Sequence, residues 1–157
     1  MLLHKLMHNP VTAYLRKPAN ADCAKLVIRF AVGAVFIYHG KMKLFGGLAM
    51  TTGFFDKIGI PFPGLMAPFI GSLEFFGGIL LILGLATRLL GFMFVCDMAV
   101  AILVAKGLVW GKNELEIMLL LSSLSLLLSG AGAYSLDAML MKRSLREHEF
   151  ALPMAKA

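Results

Sequence analysis

Four stretches of the chain are apolar almost without interruption, at about residues 25–44, 67–86, 88–109 and 114–130. A helix rises about 1.5 Å per residue, so some 20 residues cross the roughly 30 Å hydrocarbon core of a bilayer. The first three stretches meet that length and the fourth is slightly short. Continuous apolarity on this scale predicts an all-α membrane protein, a four-transmembrane-helix bundle. Only Thr87-Arg88 separates the second stretch from the third, which predicts a closely packed antiparallel hairpin. The link between the first two is longer. It holds Gly46-Gly47, an amphipathic stretch at 50–58 and Pro61-Phe62-Pro63-Gly64, read as a short interfacial helix followed by an extended turn. Trp110 is expected at a membrane interface. Gly33, Gly40, Gly71, Gly77, Gly78, Gly84 and Gly91 fall inside the apolar stretches, where they allow helices to approach closely.

Composition strengthens the membrane reading. Hydrophobic residues make up 59% of the 157 and charged residues 15%, against about 45–50% and about 25% in soluble domains. Too little polar surface remains to cover a soluble core. The net charge of +6 raises the question of nucleic acid, but no aromatic–basic interleaving or nucleic-acid motif accompanies it. Its distribution reads as topology. Ten Lys and Arg lie on the side of the N-terminus, the 2–3 link and the C-terminal tail, and five on the other side. The positive-inside rule then predicts a cytoplasmic segment 1–24, a membrane domain 25–134 and a cytoplasmic tail 135–157. Residues 1–24 hold no apolar leader, so the first span is expected to serve as the insertion signal. Cys23 and Cys96 are far apart with no CxxC, which argues against a dithiol chemistry; Cys96 is expected to be a buried packing residue.

Against this background the ionisable residues stand out. Glu74 lies about 10 Å inside the second stretch, where a carboxylate costs several kcal/mol unless it is paired, protonated or facing a wet cavity. His39 and Lys43 end the first stretch, Lys106 ends the third, and Glu114 and Glu116 open the fourth. All converge on the outer half of the bundle, as a mixed set of acids and bases that can neutralise itself or bind a polar headgroup. The inner half is sparser: Arg29 and Asp97, the latter near the middle of its stretch, could reach each other if Arg29 is extended. Plainer roles compete: snorkelling for Arg29, interfacial anchoring for the lysines, helix-terminus preference for Glu114 and Glu116, a structural ion pair for Asp97. Only one histidine, His39, belongs to the bundle, which excludes a bis-histidine haem. His39, Glu74 and Glu116 lack metal-motif spacing, so no metal site is assigned.

The order of several motifs resembles the DoxX family of small four-helix bacterial membrane proteins. The resemblance covers about residues 26–140 and rests on RFAVGAVFIYHGKMKLFGG (29–47), IGIPFPG (58–64), LEFFGGILLILGLATRL (73–89) and AGAYSLDAML (131–140). Gly130-Ala131-Gly132-Ala133 stands where the family usually has Gly-Pro-Gly. The resemblance implies a bacterial cytoplasmic-membrane location. It implies, in some members, thiosulfate–quinone oxidoreduction, quinone or catechol stress, or oxidative-stress complexes. The family's recurring polar positions fall on Arg29, His39, Lys43, Glu74 and Asp137. Asp137, with Ser135, is expected to cap a short helix running toward Met141.

The leading expectation is a redox-associated membrane component that binds a quinone-like molecule. His39 and Glu74 would relay protons, and Arg29, Lys43, Asp97, Lys106 and Glu116 would shape the ligand site. The chain carries no recognisable electron carrier, so electrons would come from a redox partner subunit or a soluble substrate. Two rivals stay open: a small-solute transporter or permease working as a homo-oligomer, and a non-catalytic membrane scaffold or assembly factor.

Overall fold

A computed structural model describes residues 21–107, 109 and 111–151. Trp110, the basic residues of 1–20, and Lys156 lie outside the described residues. Those described form helices and turns with no strand among them. Helix α1 spans Ala21–Lys41, α2 Leu48–Lys57, α3 Pro63–Leu83, α4 Thr87–Val100, α5 Glu114–Ser129 and α6 Leu136–Ala151. Helices α1 and α4 each end in a wider π-helical segment, Met42–Gly46 and Ala101–Lys106. The amphipathic stretch in the long link is α2. The expected extended turn is short, with Phe62 in the left-handed region (φ 51°) immediately before the first turn of α3.

Helices α1, α3, α4 and α5 form the bundle. The expected hairpin between α3 and α4 is not its main packing unit. Helix α1 packs along α3 and α4 along α5, with α1 beside α5 joining the two pairs. The reason is the placement of small residues. A Cβ on Gly33 would lie 2.6 Å from the carbonyl oxygen of Gly78, and one on Gly78 2.7 Å from that of Gly33. Gly40 faces the Gly71 carbonyl and the Phe75 backbone in the same way, and Gly91 faces the backbone of Ser123 and Leu127 on α5. Backbones therefore touch along α1–α3 and α4–α5, as in small-residue membrane crossings. Between α3 and α4 contact is made through side chains, with Leu90 and Phe94 against Gly77. Gly84 is not a helix-interior residue as expected. It is the left-handed C-cap of α3 (φ 71°), with Leu85 N–H donating to Leu80 O and Gly84 N–H to Leu81 O in a Schellman turn.

The buried core comprises Val32 and Phe36 of α1, Leu81 of α3, Leu90, Phe94 and Met98 of α4, and Leu119 and Leu126 of α5. Phe36 and Phe94 stack with ring centroids 3.8 Å apart, tying one helix pair to the other. The outside of the bundle carries many large apolar side chains. Val27, Phe30, Leu65, Phe76, Leu89, Leu103, Met118 and Leu128 all face outward. Apolar surface this continuous belongs in lipid. Two helical runs, Pro63–Leu83 and the continuous Thr87–Lys106, are long and apolar enough alone to cross a bilayer. Helix α5, at 16 residues, is about 24 Å long.

Candidate functional site: a polar-ended cavity in an apolar bundle

A cavity of about 530 Å³ opens at the α2 end of the bundle. Its floor is the stacked Phe36–Phe94 level with Met98 and Leu119. Its walls come from Met66, Phe69, Ile70 and Leu73 of α3 and from Met93, Cys96 and Val100 of α4, and Phe54 and Phe55 of α2, with Ile58 just after that helix, cover it. Into this apolar enclosure project His39, Lys43, Glu74, Asp97, Lys106 and Glu116. Six of the seven site residues expected from sequence therefore line one cavity.

Two ion pairs organise it. Glu74 is 1% exposed, and both its oxygens accept from Lys43 Nζ at 2.5 Å. Lys106 Nζ donates to Glu116 Oε1 at 2.6 Å and to the Lys112 carbonyl oxygen at 3.2 Å. Each lysine belongs to one of the two π-helical segments. The wider turn displaces the α-helical register and swings the side chain onto the neighbouring helix, a common use of π segments at functional positions. Asp97 lines the same cavity as the Glu74–Lys43 pair.

Two buried acid oxygens, Asp97 Oδ2 and Glu116 Oε2, have no hydrogen-bond partner among the described residues. Leaving such an atom unsatisfied costs about 1–3 kcal/mol. Both belong to cavity-lining residues. His39 is half-buried, its ring edge-on to Tyr38 at 5.5 Å. The cavity thus offers donors on Lys43, Lys106 and His39 and acceptors on Asp97 and Glu116. Glu114, grouped with this set from sequence, is exposed at the start of α5 and does not line the cavity.

Arg29 corrects the sequence reading. It does not line the cavity and does not reach Asp97, because the Phe36–Phe94 core separates them. It is fully buried at the opposite end, where Nη2 donates to the Tyr134 carbonyl oxygen at 2.5 Å and its guanidinium packs over Gly84. Asp137 stands close enough to act on that charge. Asp137 also corrects its expected role. Its carboxylate accepts from Ala86 N–H at 2.9 Å and Thr87 N–H at 3.2 Å, capping α4 rather than α6. Ser135 caps α6, with Oγ accepting from Ala138 N–H at 3.2 Å. Cys96 is a further correction: it is exposed and lines the cavity wall instead of being buried. Its position three residues after Met93 and four before Val100 carries it to the edge of the helix facing the gap. Sequence reasoning also missed the aromatic cover from α2. The signal lay in Phe54-Phe55, whose side chains an amphipathic helix at a membrane surface turns downward.

Apolar exterior, small-residue helix crossings and a cavity with charged groups at bilayer depth define a helical membrane protein with an internal polar site. Residues 24–107 match the DoxX family model, and the chain belongs to that family. CatD of Bacillus subtilis, provisionally named an oxidoreductase, is 37% identical over 123 residues, covering 77% of this chain and 90% of CatD. The inner membrane protein YqjF of Escherichia coli is 34% identical over 127 residues, covering 78% of this chain and 95% of YqjF. A membrane protein of Mycobacterium tuberculosis is 34% identical over 141 residues, covering 80% of this chain and 86% of its own length. No solved structure matches the chain.

Proposed function

We propose that this protein is a redox-associated component of the bacterial inner membrane that binds a quinone-like molecule in the cavity at the α2 end. The observation that carries the reading is the pairing of opposites in one enclosure. About 530 Å³ of apolar space meets positive donors and two unpartnered buried carboxyl oxygens. A planar apolar ring fits the walls, and polar atoms at its edge meet the charged groups. The two hydrogen-bonding characters suit both oxidation states. A quinone carbonyl accepts from Lys43, Lys106 or His39, and a quinol hydroxyl donates to Asp97 or Glu116.

Reduction of a quinone to a quinol takes two electrons and two protons. In this reading His39 and the Glu74–Asp97 pair deliver the protons, and Lys43 balances the charge as they leave. The electrons come from a redox partner subunit or a soluble reductant. The relative named an oxidoreductase favours this class over the transporter and scaffold readings. The basic-residue count favours four crossings with both termini cytoplasmic, which puts the cavity in the periplasmic half.

Mass spectrometry of lipophilic molecules retained by the gently solubilised protein tests the proposal. A quinone is expected at near one per chain in the wild type and well below that in Glu74→Gln. No quinone in the wild type, or equal amounts in both, would count against it.

A further inference from the structure

The cavity has its polarity inside out for a site filled from water. Glu74 is buried and His39, Lys43, Asp97 and Glu116 are partly buried, while the lining residues that reach the protein surface are, apart from Lys106, apolar. Phe69 is 48% exposed, Phe92 54% and Val100 46%, and Cys96 is exposed between the last two. Phe92, Cys96 and Val100 recur every four residues and form one stripe along α4. Phe69 of α3 stands on the other side of the gap. At the level of Gly77 the two helices still meet through Leu90 and Phe94, and one turn further Glu74 and Asp97 both line the cavity. Beyond that pair their facing side chains line the cavity instead of each other.

We propose that the cavity is entered sideways, from within the bilayer, between α3 and α4. Its ligand is accordingly a membrane-dissolved amphiphile with one polar head and one apolar tail. The head reaches the Glu74–Asp97–Lys43 end, and the tail leaves past Cys96 into lipid. This rests on the reading of the cavity as a ligand site and adds the route and the tail. Apolar residues at the mouth let such a molecule enter without crossing water, and the charged side chains inside stop it where its head can be paired.

Cys96 reports on the mouth directly. The full chain carrying Cys23→Ser is placed in vesicles of phosphatidylethanolamine and phosphatidylglycerol. Two thiol reagents are compared, a sulfonated maleimide confined to water and an alkyl maleimide dissolved in the bilayer. The lipid-phase reagent is expected to label Cys96 at least about tenfold faster. Decylubiquinone is expected to slow that labelling several-fold, whereas its fully ring-substituted analogue with methyl in place of decyl leaves the rate unchanged. Faster labelling from water overturns the sideways entry. Protection from both reagents, as a second copy packed over the mouth would give, also overturns it. Equal slowing by the two quinones overturns the tail path. Fast lipid-phase labelling that neither quinone slows leaves the sideways mouth standing and defeats the quinone reading instead.

Discussion

Lys43 and Glu74 set the energetics of the cavity. A buried ion pair gains little net stability over an apolar pair of like size, but removing one partner strands the other and costs about 3–5 kcal/mol. Lys43→Met is therefore expected to lower stability in detergent strongly, and Lys43→Met with Glu74→Leu to recover most of the loss. Thermal unfolding of the two single variants and the double variant checks this. A double variant as unstable as the sum of the singles would mean the pair is not coupled. Glycines give a second contrast. Gly78→Ala drives a methyl into the Gly33 carbonyl oxygen, an overpacking expected to cost about 1–3 kcal/mol. Gly53→Ala meets nothing within 4 Å in the interior of α2 and is expected to stabilise by about 0.5–1 kcal/mol. The same melting measurement separates them. At this scale the sequence was legible where charge met apolarity: Glu74, His39, Lys43, Asp97, Lys106 and Glu116 all stand out against their surroundings. Arg29 stands out equally and belongs elsewhere, because depth along a helix does not say which side of a stacked aromatic pair a side chain occupies. Cys96 was misjudged because an apolar run has no internal mark distinguishing a core face from a cavity face.

Among the elements, the turn joining α3 to α4 depends on a residue 50 positions away. Ala86 adopts a left-handed conformation (φ 52°), which costs a residue with a Cβ roughly 1–2 kcal/mol. Asp137 holds it by accepting from its N–H and from that of Thr87, while Asp137 N–H donates to the Gly84 carbonyl oxygen at 3.0 Å. Asp137→Ala is expected to cost about 1 kcal/mol, the usual value of a helix cap. It should also raise hydrogen exchange at the start of α4 without altering exchange in α2. Unchanged exchange at Ala86 and Thr87 would show that the cap is not holding the turn. The Tyr-Ser-Leu-Asp motif announced a helix start, and Ser135 meets that expectation. It did not announce that its aspartate serves a different helix, because a capping residue carries no record of which helix it caps. The helix positions themselves were readable from apolar run length. Their pairing was not, because Gly33, Gly40 and Gly91 give close approach without naming the partner. The two π segments leave no sequence signature beyond a lysine near a glycine, Lys43 before Gly46 and Lys106 before Gly107.

The whole molecule divides into two ends with different work. One end is a cluster of Arg29, Gly84, Tyr134 and Asp137 joining α6 to the bundle. The other is the cavity, covered by α2. Placing both termini in the cytoplasm predicts that a reporter active only in the cytoplasm works when fused after Ala157 and fails when inserted beside Gly59. The opposite pattern would invert the molecule in the membrane. The proposed quinone site at the α2 end depends on Glu74. Equilibrium binding of radiolabelled decylubiquinone is measured on the reconstituted wild type, Glu74→Gln and Asp137→Asn, the last altering only the opposite end. Saturable binding near one per chain is predicted for the wild type and Asp137→Asn, with affinity lower by about tenfold or more in Glu74→Gln from the lost charge-assisted network. Absence of saturable binding, or equal affinity in all three proteins, would contradict it.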